Sequence, residues 1–253
     1  MHMEAFTVQR IPLIREGDDV GTIISNSAQL EDRDIIVIAS SIVAKSEGRV
    51  LRLEDVTPGA EAKRIARVND EDARFVQVVL NESEEVLIES PFMLTQTHTG
   101  HICVNAGADR SNVEGGFVLL LPKDPDGSAK RIRDAIKRET NKHVCVIIAD
   151  TCGRPFRIGQ TGIAIGCAGI SPTKDWRGEK DLFGRTLEAT NEVVIDELAG
   201  FANLMMGEGK DATPVVIIRG AKWQESEEGG REIHRPDTED LIKMALRASK
   251  DRR

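Results

Sequence analysis

The sequence has no tyrosine, and aromatic residues make up only 4% of its 253 positions. That scarcity argues against a stacking platform for nucleic-acid bases. Positive charge is also short. The 34 Lys and Arg stand against 42 Asp and Glu, a formal net charge of −8. A basic nucleic-acid footprint over the whole chain is not expected. No apolar run approaches the ~20 residues of a membrane span. The opening stretch MHMEAFTVQR carries no apolar signal core. The cysteines, Cys103, Cys145, Cys152 and Cys167, form no CxxC pair. In a chain this long they read as reduced thiols, not a disulfide framework. A cytoplasmic protein with neither nucleic-acid nor membrane partners is the expectation.

Hydrophobic residues make up 40% and charged residues 30%, the balance of a globular chain. The length suits one large domain or two small ones and a sizeable core. Residues 34–39 (DIIVIA) and 143–149 (HVCVIIA) are near-continuous apolar runs rich in β-branched side chains. Such runs read as strands buried on both faces.

Each run gives way to small and polar residues. Ser40 and Ser41 come directly after the first, with Lys45 about one helical turn on. Hydroxyls and an ammonium so placed can hold phosphate oxygens, or they can be a helix cap and a solvated lysine. The second run ends at Asp150 and Thr151, then a loop with Arg154 and Arg157. A third stretch, residues 101–116, repeats the theme: apolar Ile102, Cys103 and Val104, then a Gly-rich loop carrying Asp109 and Asn112. Asp109 reads either as a turn residue bonding its own backbone or as a cation ligand. Two aspartates at strand ends are what a phosphate-bound divalent cation needs, since magnesium takes one or two carboxylates plus phosphate oxygens. The arginines can fork onto a carboxylate or be plain exposed loop residues.

The remaining pattern is coarser. A strand is expected over residues 5–8 and a short helix capped by Asp18 or Asp19. Between them, Ile11, Pro12, Leu13 and Ile14 are apolar without period, either pinned to the core or offering a backbone edge to a ligand. Helices are expected over 58–68, 71–81, 187–206 and 237–248. A further helix is capped by Ser128, with Ile132 and Ile136 facing inward. Strands are expected over 86–88, 93–97, 102–104, 117–121 and 214–218. Residues 161–171 read as a strand with close backbone packing, open to a bulge. His98 and His101 with Cys103 lack a fourth ligand at a zinc spacing. The charged loop after residue 171 holds Arg177 and Arg185, and loops of that length are often functional. Residues 221–235 are expected to be a mobile polar tail. The charged stretches 171–185 and 222–236 are candidate seams.

Two nucleotide motifs are excluded. The run GEGKDA fits GxGxxA but sits between a helix and a strand, the reverse of a dinucleotide fingerprint, and no GxxxxGK[ST] occurs. A non-Rossmann, non-P-loop protein is expected. Glycine-rich backbone beside Glu208 and Lys210 can still cradle phosphate and a second cation.

With these residues in view, the chain resembles the coenzyme F420-0:gamma-glutamyl ligase family. The stretches that carry the resemblance are IPLI, ASS with Lys45, HICVNAGADRSN, PKDPDGSA, ADTCGRPFRIGQTGIAIG, KDWRGEKDLFGR and FANLMMGEGKDATP. It runs to about residue 220; the acidic tail beyond is less distinctive.

The resemblance implies an α+β, family-specific fold of mixed sheets with packed helices. It implies one ligase domain over residues 1–253, undivided or in two subdomains, and an intertwined homodimer. It implies GTP-dependent addition of L-glutamate to coenzyme F420-0, with two divalent cations (Mn2+ or Mg2+) and K+. Carried across by position, Ile11, Pro12, Leu13, Ile14, Ser40, Ser41, Lys45 and Asn112 would touch GTP. So would Met206, Gly207, Glu208, Gly209, Lys210, Asp211, Ala212 and Thr213. Asp109 and Asp150 would hold one metal, Thr151 and Glu208 the other. Asp109, Asp150 and Lys45 would act at the reacting phosphate. Arg154, Arg157, Arg177 and Arg185 are candidates for the carboxylates of glutamate or F420-0. A divalent-metal phosphohydrolase and a nucleotide sensor without turnover are the other classes these residues suit.

Overall fold

The computed structural model describes residues 2–250. The chain runs β1 (Glu4–Thr7), α1 (Val20–Ser27), β2 (Ile35–Ala39), α2 (Ser40–Ser46) and β3 (Val50–Arg52). It continues through α3 (Ala60–Asn69), α4 (Ala73–Asn81), β4 (Ser83–Ile88), β5 (Leu94–Thr97), β6 (Ile102–Val104) and β7 (Phe117–Leu119). Then come α5 (Pro125–Thr140), β8 (Cys145–Gly153), β9 (Gln160–Ala168), β10 (Lys174–Asp175) and β11 (Asn191–Glu192). The described chain closes with α6 (Val194–Met206), β12 (Val215–Arg219) and α7 (Leu241–Lys250). The fold is mixed α+β.

Its centre is a five-stranded sheet in the order β1-β12-β2-β8-β9. Only β2 and β8 run parallel; the other neighbours are antiparallel. The apolar runs fill its middle because both faces are covered. Ile36, Ile38, Val146 and Ile148 meet Ile24 of α1 and Ala129, Ile132 and Ile136 of α5. Ile35, Val37, Cys145 and Ile147 meet Ile195, Ala199 and Ala202 of α6 on the other face. Alternate side chains point to opposite faces, so one run feeds both cores. Asp34, fully buried just before β2, accepts two hydrogen bonds from the Arg219 guanidinium at 2.8 and 2.7 Å.

Between α2 and α5 the chain builds a second core. Ile65, Phe75, Val76 and Val79 of α3 and α4 pack with Leu53, Met93, Val118 and Leu120. The sheet β4-β5-β6 and the pair β3-β7 frame it. This unit carries the Asp109 loop back to the central sheet.

Several boundaries differ from the sequence expectations. Asp124, not Ser128, caps α5, its side chain accepting from Gly127 N. Ser128 is buried one turn in, and its Oγ donates to Asp124 O at 2.8 Å. The long helix begins at Val194, not 187. Residues 187–192 belong to a hairpin, where Leu187 N donates to Glu179 O and β11 pairs with β10. Local periodicity cannot register such cross-strand partners. Strand β8 runs on through Gly153, so Asp150 and Thr151 lie inside a ladder with β9 and not at the strand's end. The stretch 221–235 is anchored. Gly230 N donates to Asp126 Oδ1 at 2.7 Å, Trp223 Nε1 to Arg33 O at 3.1 Å, and the Arg33 guanidinium lies 4.4 Å from the Trp223 ring. The last helix, α7, starts at Leu241, four residues after the expected 237.

β9 carries a bulge at Ile165. The register steps from Ile148↔Gly166 to Ala149↔Ala164. Ile165 and Gly166 therefore share the α5 face, while Gly162 and Ala164 face α6. At Gly166 a Cβ would stand 2.5 Å from the Pro125 carbonyl carbon.

Candidate active site

The parallel pair β2 and β8 ends in register at Ala39↔Ala149. In open sheets the carboxyl ends of parallel strands are where ligands gather. Here α2 starts directly after β2, which sets the buried Ser40 against β8. Its Oγ donates to Asp150 Oδ1 at 2.9 Å. The Asp109 loop comes from the second core. Asp109 is fixed by a two-way backbone bridge to Leu119 at 2.9 and 2.8 Å. Asp109 Oδ1 accepts from Ser111 N at 2.9 Å, and Ser111 Oγ donates to Oδ2. The turn reading of this aspartate is thus correct as local structure, and the turn still faces the β8 end. Lys45 Nζ donates to Asn112 O at 2.8 Å, which ties α2 to the same loop. Asn112 has φ +52°, a left-handed position that asparagine tolerates.

The fourth wall is the loop after α6. Helix α6 ends as Gly207 takes φ +69° and Gly207 N donates to Asn203 O at 3.0 Å. Thr213 Oγ1 donates to Met206 O at 2.9 Å and closes the loop on itself. Glu208 Oε1 accepts from Asn203 Nδ2 at 3.1 Å.

These segments enclose a cavity of about 380 Å3. Ile11, Pro12, Leu13, Ile14, Ser40, Ser41, Lys45, Asp109, Asn112, Asp150 and Thr151 line it. So do Met206, Gly207, Glu208, Gly209, Lys210, Ala212 and Thr213. Asp211 is not among the lining residues; its carboxylate lies against Gly207. The arginines expected at substrate carboxylates lie outside the cavity, all exposed. Arg154 Nη1 donates to Gly159 O at 3.3 Å, and Arg177 is bound to Asp175 at 2.6–3.0 Å. Arg157 lies in the β8–β9 turn and Arg185 in the β10–β11 hairpin, where Arg185 N donates to Asp181.

Residue reasoning missed Asn203, Ala39, Ile42, Ser111, Ala149 and Pro214 as site residues, and they also line the cavity. For Asn203 a signal existed. It is the polar position between Ala199, Ala202 and Met206 on a helix whose inner stripe is apolar.

A larger cavity, about 490 Å3, lies against the opposite side of α2. Its cations are already paired, Arg131 with Glu47 and Arg138 with Asp19. The smaller cavity is the better candidate because its charges are unspent. Among the described residues, Asp109, Asp150 and Glu208 enter no salt bridge. Burial pushes the Asp150 carboxyl up to about 6. Hydrogen bonds from Ser40 and the Thr151 backbone draw it down, and the charges of Asp109 and Glu208 raise it again. Acidic groups without a counter-charge fit a divalent cation. No three His, Cys, Asp or Glu side chains among the described residues form a metal cage by themselves. A hard cation carried by phosphates requires no such cage.

The family model for F420-0:Gamma-glutamyl ligase matches residues 9–220. The chain belongs to this family. Coenzyme F420:L-glutamate ligase of Methanosarcina mazei is 52% identical over 254 residues, covering 100% of each chain. Its counterpart of Methanosarcina acetivorans is 55% identical over 248 residues, 98% of each chain. That of Archaeoglobus fulgidus is 50% identical over 247 residues, 98% of this chain and 99% of its own. Within the ligase family match fall all the lining segments, from Ile11 to Pro214. Among the described residues no helix is long and apolar enough to cross a membrane.

Proposed function

We propose that this protein is a GTP-dependent ligase that joins L-glutamate to coenzyme F420-0, first at the terminal carboxylate of F420-0 and then through a gamma-glutamyl linkage. One observation carries the reading. Hydroxyls, two lysines and three carboxylates without ion pairs converge on one cavity at the ends of β2 and β8.

A carboxylate is a poor acyl donor to an amine because its oxygen leaves badly. Transfer of the GTP gamma-phosphoryl to the F420-0 carboxylate forms a carboxyl O–P bond and releases GDP. The alpha-amine of glutamate then attacks the acyl carbon, phosphate leaves with the C–O electron pair, and the amine gives up a proton. Ser41, Lys45 and Lys210 bind phosphate oxygens beside Ser40, whose hydroxyl holds Asp150, and the two lysines add fixed positive charge. Residues 11–14, Asn112 and the 206–213 loop, Asp211 excepted, wall the nucleotide. Divalent cations, Mn2+ or Mg2+, held by Asp109 with Asp150 and by Thr151 with Glu208, would neutralise charge on the transferring group, with K+ as an accessory ion.

The protein acts as a homodimer in this reading. The nearly fully exposed Phe156, Ile158, Leu182 and Phe183 at two hairpin tips support it, as apolar side chains in want of a partner. Light scattering on the purified protein tests the dimer.

The reaction is tested by mass spectrometry of F420-0 after incubation with enzyme, GTP, Mn2+ and glutamate. The expected product is heavier by glutamate units, with GDP formation dependent on F420-0 and sustained over many turnovers only when glutamate is also present. Phosphate release without F420-0 would instead make the protein a phosphohydrolase. GTP binding without any GDP would make it a sensor.

A further inference from the structure

Glu208 stands between Gly207 and Gly209 on an exposed loop, and its backbone neighbours give its side chain no support. Thr151, by contrast, is fixed inside the β8 ladder. What joins them is a path through β9 and α6. Thr151 pairs with Gly162. A Cβ on Gly162 would stand 2.5 Å from Asn203 Cβ and 2.8 Å from Ala199 O. The missing side chain is therefore what allows α6 to lie directly on β9. At the end of that helix Asn203 faces the cavity, and its Nδ2 donates to Glu208 Oε1 at 3.1 Å.

Resting on the GTP and metal reading, we infer that Asn203 is a positioning residue for Glu208, and that Gly162 sets the spacing between Glu208 and Thr151, so that the two are arranged for one divalent cation before it binds. The choice of side chain suits that task. An amide donor holds a carboxylate by one hydrogen bond and leaves its charge intact. A lysine or arginine in the same place would cancel the charge the cation needs. Partners of this kind, one step removed from the metal, orient ligands and tune affinity. Asn203 touches no reacting atom; it acts through Glu208.

The test is Mn2+ binding to the whole protein in the presence of GTP without F420-0 or glutamate, followed by electron paramagnetic resonance. Wild type is expected to take up two Mn2+ per chain. Asn203→Ala should weaken one of them by about tenfold or more and leave the other unchanged. Its KM for Mn2+ in ligation should rise, while kcat recovers at saturating Mn2+. Gly162→Ala should weaken the same ion, and Asn203→Gln should restore part of the loss. Asn203→Ala protein that binds both ions as wild type does, or loses both in parallel, overturns the inference. Wild type that binds fewer than two Mn2+ overturns the metal reading itself, and that result is seen before any variant is made.

Discussion

Acidification should destabilise this protein through one histidine. His101 is buried beside the β5–β6 turn, and its Nε2 has no hydrogen-bond partner. Its ring is stacked 6.4 Å from that of His234. Burial, then the nearby His234, lowers its pKa from the ordinary 6.5 to about 4. The groups around His234 are Asp126, Lys243, Arg231 and Asp196, of mixed sign. A base whose pKa is depressed by folding binds fewer protons folded than unfolded. Stability is therefore full above about 6.5 and is lost as pH falls toward about 4. A shift of that size corresponds to about 3 kcal/mol in total, of which about 2 kcal/mol is lost between pH 7 and pH 5. For a chain of this size that is about 4–8 °C in Tm. The assay compares urea unfolding of wild type and His101→Gln at both pH values. Wild type should lose about 2 kcal/mol more than the variant over that interval. Equal losses, or an imidazole that titrates near its ordinary value by NMR, would refute the reasoning.

Three more outcomes are expected from other contacts. Arg219→Ala leaves the fully buried Asp34 without its guanidinium partner and should cost about 3–5 kcal/mol in urea unfolding. Gly166→Ala drives a methyl into the Pro125 backbone and should destabilise by about 1–3 kcal/mol, with α5 displaced from β9 in a crystal structure of the variant. Asp109→Asn keeps the turn acceptor for Ser111 but removes the charge; GTP-dependent ligation should fall about a hundredfold or more, and unchanged turnover would exclude Asp109 from metal binding.

The central strands were legible because residues 34–39 and 143–149 are apolar without interruption, and only a doubly covered strand needs that. Asp109, Asp150, Ser40 and Lys45 were legible because charge and hydroxyls appear abruptly where those runs stop. Ile11, Pro12, Leu13, Ile14 and Asn112 were not legible from their chemistry. Apolar residues without period suit a core segment as well as a cavity wall, and an asparagine in a polar turn suits the turn itself, so their assignment as nucleotide contacts came from the resemblance. The start of α6 was hidden because Leu187 and Asn191 pair with residues across a hairpin. The anchoring of residues 221–235 was hidden because Asp126 and Arg33, which hold them, lie about a hundred residues or more away in sequence. The faces of β9 were misleading in a further way. Gly162 and Gly166, four apart, would share a face in a regular strand, yet the bulge turns one toward α6 and the other toward α5.

That bulge offers a way to part folding from chemistry. Ile165 is an extra residue, so its removal leaves every other β9 side chain on its present face and takes a single side chain from the core. A bulge also bends and twists its strand. This one sits opposite the step from Ile148 to Ala149, immediately before Asp150 and Thr151. A chain lacking Ile165 should keep its layers, with a lower thermal transition for the core side chain it loses, while aiming Asp150 and Thr151 differently. On that outcome the extra residue is a shim, dispensable to the layers and devoted to the angle at which the sheet presents its carboxylate.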